Sequence, residues 1–348
     1  MITAPTQPPE HAIDNPGNWT REEFSKQPYK TQLPSPVVEE LYRAVALARK
    51  RELRAARFGK NQFPLPETEG FLSNLSTELE AGKGFLVLSG LNIDDLTQQD
   101  CETLFWGIGL YLGQSVPINA DGDLVGHVRD LGLDIQNPNV RNYQTTEELK
   151  LHNDTCDILG LMCLRNAKSG GDSAIASAIA IHNAILDSRP DLLRELYTPM
   201  AIDRRGEKGW PEEGDSPWFA LPIFSYYKNL ITTRYTVHEY YYEAQKFSDA
   251  PRLTAKQEEA LEYLRATARD PRFHFEFRLE PGDIQLLNNY CTLHARTHFE
   301  DYPEPERKRH LLRLWLSTSN SRPLHPIFSK RYRSADAGAL RGGIAPRA

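Results

Sequence analysis

Apolar residues recur at helical spacing in the first third of the chain. Ser35 and Pro36 supply an N-cap and a proline at the first helical position, and the apolar residues that follow are three or four apart. Two more helices are predicted at 68–80 and at about 97–112, on either side of the short apolar strand "FLVLSGL" at 85–91. The first third is therefore predicted to be mixed α and β.

From about residue 126 onward the apolar runs become short and are bounded by Gly, Pro, Asp or Asn, which is typical of strands. These runs are "LGLMCLRNA" (159–167), "SAIASAIAI" (173–181), "FHFEFRLE" (273–280), "DIQLLNN" (283–289) and "HLLRLWLS" (310–317). Two helices interrupt them, at 189–197 and 253–270. The alternation within 273–279, followed by the turn at 280–283, predicts an antiparallel hairpin.

These elements favour a single β-rich domain over residues 35–348. A sandwich or barrel core is expected at about 126–320, with flanking helices and an α/β N-terminal extension. Residues 1–34 are rich in Pro, Asn, Gln and Thr and are predicted to be a tail or a wrapping arm. The tract 203–222 is predicted to be a long loop of the kind that often covers an active site, and 334–348 a loop-like tail.

Composition narrows the class of protein. Among 348 residues, 40% are hydrophobic and 25% charged, with a net charge of −6, which describes a mildly acidic globular protein without the basic patch of a nucleic-acid binder. The start has no secretory signal, and no apolar run approaches the ~20 residues of a membrane span, so we expect a cytoplasmic location. The four cysteines have no CxxC spacing and are expected to be reduced and mostly buried.

The stretch "LKLHNDTCDI" (149–158) carries a histidine and an acid two residues apart, His152 and Asp154. In an extended segment both side chains leave the same face, which two ligands of one metal ion require. Taken alone, the pair is also compatible with two surface residues that are close by chance, or with a hydrogen-bonded pair in the core.

A second group of polar residues lies between 294 and 313. The run 309–316 alternates, so Arg309 and Arg313 share one face of an apolar strand. Buried arginines need an anionic partner, which is either an acid of the chain or the carboxylate of a ligand. His294 and His298 have the HxxxH spacing of helical zinc sites, but on a strand they would lie ~13 Å apart, so we expect only His294 to be a ligand.

The order HxD, then the turn "GGDS" (170–173), then a distant histidine followed by an RxxxR strand, resembles the Fe(II)- and 2-oxoglutarate-dependent dioxygenases of the taurine/2,4-D (TauD/TfdA) family. The resemblance runs from about 143 to 315. It implies a double-stranded β-helix, or jelly roll, with an iron site of two histidines and one carboxylate at its mouth. His152, Asp154 and His294 match these three ligands.

The resemblance also implies roles for three further residues. Arg309, 15 residues after His294, matches the arginine that pairs with the distal carboxylate of 2-oxoglutarate. Ser173 stands where the family usually has a threonine that hydrogen-bonds 2-oxoglutarate, and serine keeps the hydroxyl while losing a methyl group. Arg313 matches an arginine that in some members contacts an acidic group of the substrate.

The function expected from the resemblance is an oxygenase that uses Fe(II), 2-oxoglutarate and O2 to hydroxylate a small polar, anionic or amino-acid-like molecule, with release of succinate and CO2. Three protein ligands leave room on a six-coordinate ion for a bidentate 2-oxo acid and O2. A metal-binding module without turnover and a zinc hydrolase with the same three ligands are the alternatives. The sequence leaves the substrate, the type of oxidation and homo-oligomer formation open. We expect Asn153 to point away from the metal and Asp157 to brace the site.

Overall fold

A computed structural model describes residues 6–25, 29–135 and 140–347. Residues 1–5 and 26–28 of the predicted N-terminal arm, and residue 348 of the predicted C-terminal tail, lie outside the described residues. No helix in these described ranges is both long and apolar enough to cross a membrane.

The helices of the described chain lie mainly before residue 113 and between 178 and 270. They are α1 Arg21–Ser25, α2 Ser35–Lys50, α3 Glu69–Ala81, α4 Gln98–Leu112, α5 Ala178–Ser188, α6 Pro190–Leu196, α7 Glu239–Glu243, α8 Ala255–Arg269 and α9 Ser329–Tyr332. Short 3-10 turns occupy Lys60–Gln62, Asn142–Gln144, Ala244–Lys246, Pro305–Arg307 and Pro326–Phe328.

The strands up to residue 177 are β1 Lys30–Gln32, β2 Phe85–Ser89, β3 Gln114–Ser115, β4 Gly126–Val128, β5 Leu149–His152, β6 Ile158–Arg165, β7 Ser169–Gly170 and β8 Ser173–Ser177. Those that follow are β9 Met200–Asp203, β10 Trp218–Leu221, β11 Phe224–Tyr227, β12 Leu230–Thr233, β13 His274–Phe277, β14 Ile284–Asn288, β15 Thr292–Arg296, β16 Phe299–Glu300 and β17 His310–Ser317.

Two sheets form the β core. The larger sheet has the strand order β1-β2-β14-β6-β17-β3, with β4 also paired to β17, and the smaller one has the order β13-β8-β15-β5. Apolar side chains from both sheets form one buried cluster, including Leu159, Leu287 and Leu311 of the larger sheet and Ile175 and Phe277 of the smaller one. The core is therefore a mostly β structure of two facing sheets with flanking helices, as predicted.

Side chains of β17 point alternately to the two faces of the larger sheet, and those on the face turned away from the smaller sheet are covered by helices. Leu312, Leu314 and Leu316 pack in a second cluster with apolar residues of α2, α3 and α4, whereas Leu311 and Trp315 face the smaller sheet. A strand buried on both faces reads as a nearly continuous apolar run. Arg309 and Arg313 consequently lie on the side that faces the smaller sheet, and both are buried. The cost of burying each positive charge must be offset by a polar or anionic partner.

Two predicted elements are wrong. The run 173–181 was expected to be one strand, but β8 ends at Ser177, whose Oγ accepts a hydrogen bond from the backbone N–H of Ala180 and caps α5. The predicted hairpin at 273–289 does not form, because β13 pairs with β8 in the smaller sheet while β14 pairs with β2 and β6 in the larger one. The turn between them therefore crosses from one sheet to the other.

The segments outside the core also pack against it. The loop predicted at 203–222 ends in a strand, since β10 pairs with β9. In the N-terminal arm Trp19 and Phe24 are buried against Phe85. Residues 334–347 contain no helix or strand, yet Arg341 is fully buried. The four cysteines are unpaired and buried, as expected.

Candidate metal centre and active site

The candidate site begins where β5 meets β15. In this antiparallel pair His152 lies directly opposite His294, which places the two side chains on the same face of the smaller sheet. Their ring centroids are 4.2 Å apart. Strand register, rather than closeness in sequence, brings these two histidines together across 142 positions of the chain.

Asp154 completes the group just beyond the end of β5. Its two carboxylate oxygens lie 3.7 Å from Nε2 of His152 and 3.8 Å from Nε2 of His294. One potential ligand atom from each of the three residues falls within 4.8 Å of the others, and no other such group occurs in the described part of the chain. The structure thus brings together all three metal ligands predicted from the sequence.

The hydrogen bonds around the three side chains favour metal ligation through Nε2 of His152. Nδ1 of this ring lies 2.8 Å from the Lys150 carbonyl oxygen, which can only accept, so Nδ1 carries the proton and Nε2 keeps its lone pair. Trp315 Nε1 donates to Asp154 Oδ2 at 3.0 Å, and the backbone N–H of Asp154 donates to Asn289 Oδ1 at 3.1 Å. The carboxylate is therefore held in place by two neighbours that are not ligands.

Burial sets the ionisation of the three groups. It lowers the pKa of His152, and it lowers the pKa of His294 to about 3 with a further contribution from neighbouring His152. Burial alone would raise the pKa of Asp154, but His294 and His152 beside it bring that pKa below its usual range. Near neutral pH the site thus offers two neutral imidazoles and one carboxylate. This donor set fits a divalent iron ion that needs open positions for further ligands.

The residues next to the ligands act as supports. The Asn153 side chain donates to the carbonyl oxygens of Thr233 and Asn289, each at 2.7 Å, so it points away from the triad as predicted. Asp157 is buried and accepts from Arg341 Nε at 2.7 Å. Asp157 therefore connects the segment that carries the metal ligand Asp154 to the C-terminal tail, and it is not itself a ligand of the metal site.

Arg309 is nearly fully buried just before β17. Its Nη2 donates to the Gly171 carbonyl at 3.2 Å, and its Nη1 has no hydrogen-bond partner among the described residues. No carboxylate of the described chain forms a salt bridge with it, and burial lowers its pKa to about 10. A buried guanidinium with an unused N–H is a ready site for the carboxylate of a ligand.

Ser173 begins β8 two residues after Gly171 and is also buried, with Arg296 as its cross-strand neighbour. The strands on either side of "GGDS" pair with other strands, β7 with β16 and β8 with β13 and β15, so this turn does not close a hairpin. Its end places the Ser173 hydroxyl on a strand close in the chain to the carbonyl that holds Arg309. Neither Ser173 nor Arg309 is among the residues that line the main cavity described next.

A cavity of about 260 Å³ opens beside His152 and Asp154. Arg313 lines it and is buried, with its guanidinium 4.3 Å from the Tyr143 ring and an Nε that has no partner among the described residues. Arg205 and Glu207 line the same cavity, so the tract predicted to cover an active site does contribute to its wall. His294 contributes to the triad from outside this cavity.

The sequence did not indicate most of the charged residues of this cavity. Six arginines line it, against three acids. The arginines are Arg141, Arg205, Arg234, Arg313, Arg331 and Arg347, and the acids are Asp121, Asp154 and Glu207. Of the six arginines, only Arg313 could be recognised from the sequence, through the RxxxR spacing in an alternating strand. The other five come from loops and short helices that share no sequence spacing.

Comparisons with known proteins agree with this geometry. The pattern of the family described as "Taurine catabolism dioxygenase TauD, TfdA family" matches residues 49–315. The chain is 34% identical over 266 residues to FR-33289 synthase of Streptomyces rubellomurinus, covering 74% of this chain and 76% of that protein. It is 30% identical over 154 residues to uridine-5'-phosphate dioxygenase of an Amycolatopsis species, covering 44% of this chain and 52% of that protein.

Solved structures share the fold. Asparagine oxygenase in complex with Fe(II), 2S,3S-3-hydroxyasparagine and succinate superposes with a TM-score of 0.64 at 19% identity, covering 83% of this chain and 93% of that one. The non-heme iron oxygenase OrfP, in complex with Fe and α-ketoglutaric acid, gives a TM-score of 0.56 at 15% identity, with coverage of 89% and 99%.

Proposed function

Because the chain belongs to the TauD/TfdA family of dioxygenases, we propose that it oxidises a C–H bond of a small anionic or amino-acid-like molecule, with hydroxylation as the expected outcome. The observation that carries the proposal is the convergence of His152, Asp154 and His294 within 4.8 Å. The predicted family, the jelly-roll fold and the dioxygenase class are confirmed, and the family and the triad together bear out Fe(II) and 2-oxoglutarate as cofactors.

His152, Asp154 and His294 would hold the iron. When bound there, the iron would supply the oxidising chemistry for which 2-oxoglutarate and O2 are the co-substrates and succinate and CO2 the products. The residues around the triad fix its geometry, because Lys150 orients one imidazole and Trp315 orients the carboxylate. His152 and His294 are buried and the Asp154 side chain is only 13% exposed, so the access of bulk water to the reacting atoms is restricted.

Arg309 and Ser173 are assigned to 2-oxoglutarate. The support for Arg309 is its burial without a salt-bridge partner in the described chain, together with the unused N–H on Nη1. A guanidinium can pair with a carboxylate through two parallel hydrogen bonds. A zinc hydrolase would have no use for such a group, so Arg309 favours the oxygenase over that alternative.

Arg313 is assigned to an anionic group of the substrate. It lines the cavity that reaches His152 and Asp154, and its Nε has no partner among the described residues. By their names, relatives and structural neighbours act on uridine-5'-phosphate and on asparagine, which are small molecules with an anionic group. The excess of arginines in the cavity supports an anionic substrate for this chain as well.

The test uses protein purified without oxygen and loaded with Fe(II). On addition of 2-oxoglutarate, a weak visible charge-transfer band is expected, and on addition of O2 succinate should form slowly even without a substrate. Asp154→Ala should abolish both signals, whereas Asp270→Ala, which changes a partly exposed acid at the end of α8, should keep them. Full turnover by the Asp154→Ala protein with tightly bound zinc would contradict the proposal.

A further inference from the structure

Three arginines and one glutamate form a buried cluster at one end of the main cavity. Arg204, Arg234 and Arg331 are each 5% exposed, and the Glu213 side chain is 4% exposed. Glu213 holds Arg204 in a two-pronged pair, with its oxygens 3.0 and 3.1 Å from the guanidinium nitrogens. Arg331 lies 3.7 Å from the same carboxylate. Three cations thus share one anion within salt-bridge distance, so two of the three positive charges have no anion of their own there. Glu207 acts on Arg331 and Asp154 acts on Arg234 only at longer range, and these two acids belong to the pair with Arg141 and to the metal site.

Arg234 has no acidic partner within salt-bridge distance among the described residues. Its Nη1 donates to the Asn153 carbonyl at 2.9 Å, and its Nη2 donates to Thr155 Oγ1 at 3.2 Å. Arg331 Nη2 reaches the same hydroxyl at 3.5 Å. The Nε atoms of Arg234 and Arg331 are both buried without a hydrogen-bond partner in the described chain. Both guanidinium groups therefore keep donors for something the protein itself does not supply.

Space for such a ligand exists between these residues. Arg234 and Arg331 line both the main cavity and an adjoining small cavity of about 40 Å³, which Arg204 also lines. Two acids line the small cavity as well, and one of them, Asp203, is paired with Lys246 at 2.5 Å. One water molecule needs about 10–15 Å³ of such accessible space, so the small cavity can admit only a compact group. The nearby acid Glu207 is already paired with Arg141 at 3.2 Å. Thr155 directly follows the metal ligand Asp154, so this end of the cavity adjoins the triad.

We infer that Arg234, Arg331 and Thr155 form a subsite for a doubly charged tetrahedral group, the phosphate or phosphonate end of the substrate. This inference rests on the proposed function, since it names the class of molecule that the oxygenase takes. A dianion balances the two uncompensated charges, whereas a carboxylate or sulfonate balances one. Planar guanidinium forks match phosphoryl oxygens through paired hydrogen bonds, and the Thr155 hydroxyl adds one more donor or acceptor.

Burial makes this charge arrangement unfavourable without a ligand. Burial lowers the pKa of Arg331 although Glu213 and Glu207 oppose the effect, and the positive charges of Arg234 and Arg204 lower it further. A buried charge that lacks a paired anion is destabilising, and an anionic ligand beside it relieves that penalty. Occupation by a dianion therefore stabilises the folded protein.

The test is calorimetric binding at pH 8 to the anaerobic protein loaded with Fe(II) and 2-oxoglutarate. The probes are methyl phosphate, methylphosphonate and methanesulfonate; methyl phosphate is a dianion at this pH because its second pKa is about 6. At least one of the two phosphorus compounds should bind ten times or more tightly than methanesulfonate, and which one does distinguishes an ester from a phosphonate. Arg331→Gln and Arg234→Gln should each weaken that binding at least tenfold. Lys330→Gln, which changes the exposed neighbour of Arg331 in the same short helix, should leave it unchanged.

Equal binding of all three probes by the wild-type protein would overturn the inference without the need for any variant. Unaltered methyl phosphate or methylphosphonate binding in folded Arg331→Gln and Arg234→Gln proteins would also overturn it. Arg331→Lys keeps the positive charge but loses the planar guanidinium and its paired hydrogen bonds. An affinity between those of the wild type and Arg331→Gln therefore supports recognition through paired hydrogen bonds. Succinate formation without probe binding contradicts the subsite alone, whereas probe binding without succinate formation contradicts the oxygenase function.

Discussion

Gly171 lies against the guanidinium of Arg309, and a Cβ added at Gly171 would come within 2.8 Å of Arg309 Nε. Gly171 also has a positive φ of 74°, which side chains rarely adopt. The same residue offers its carbonyl oxygen to Arg309 Nη2. The glycine therefore makes room for the buried cation and orients it at the same time.

The first prediction concerns this contact. Gly171→Ala should displace Arg309 and raise the KM for 2-oxoglutarate about ten- to a hundredfold, because a charged hydrogen bond is worth about 1.5–3 kcal/mol. Succinate release measured against 2-oxoglutarate concentration checks it. Gly132→Ala is the matched control, since Gly132 also has a positive φ of 67° but nothing lies within 4 Å of its added Cβ. An equal effect of both substitutions would contradict the role given to Arg309.

The second prediction concerns the tryptophan that holds the acid ligand. Trp315→Phe removes the hydrogen bond from Nε1 to Asp154 Oδ2 and should weaken Fe(II) binding about tenfold, the lower end for loss of a group that orients a ligand. Metal titration of the apoprotein measures the change. Trp106→Phe loses a similar hydrogen bond, 3.0 Å to the Phe58 carbonyl, in the cluster on the far face of the larger sheet, and it should keep wild-type iron affinity. A similar loss of affinity in both proteins would contradict the argument.

Local spacing explains why the triad could be predicted. The side-chain period of a strand is two, so the HxD pair and the alternation before Trp315 could be read directly from neighbouring residues. The structure bears this out, because Leu311 and Trp315 face the smaller sheet while Leu312 faces the helices. Placing the distant His294 beside this pair depended on the order of motifs that resembles a known family.

Where the prediction failed, the deciding contacts are not local. The apolar run 173–181 fits a buried strand and a buried helix equally well, and only the cap at Ser177 separates the two. Of the two arginines in the proposed phosphate or phosphonate subsite, Arg234 directly follows β12 and Arg331 lies in the short helix α9, about 100 residues later. No spacing in the sequence links Arg234 to Arg331, since the fold alone brings them to Thr155.

The third prediction is a loss of stability in acid, for which His182 supplies one identifiable part. Burial lowers the pKa of His182 to about 4, against about 6.5 in the unfolded chain. Below pH 6.5 the unfolded chain binds a proton that the folded protein does not, so the free energy of unfolding falls until pH reaches about 4. The contribution of His182 should be about 2–3 kcal/mol between pH 7 and pH 4.5.

Denaturant unfolding of the apoprotein at a series of pH values measures this effect. His182→Gln should flatten the pH dependence by about that amount. Ile185→Val, on the same helix, should cost about 1 kcal/mol at every pH and leave the slope as in the wild type. Parallel curves for the wild type and His182→Gln would show that His182 is not held neutral by burial.

The fourth prediction concerns the pair that connects the C-terminal tail to the segment that carries the metal ligand Asp154. Arg341 Nε lies 2.7 Å from Asp157 Oδ1, and the two side chains are 0% and 2% exposed. Arg341→Ala leaves Asp157 charged and buried, so the free energy of unfolding should fall by about 3–5 kcal/mol. Arg272→Ala breaks an exposed pair with Asp270 and should cost far less. Because Gly343 also donates to the Thr155 carbonyl, a tail loosened by Arg341→Ala should lower iron affinity too. A destabilised Arg341→Ala protein with wild-type iron affinity would restrict the pair to a structural role.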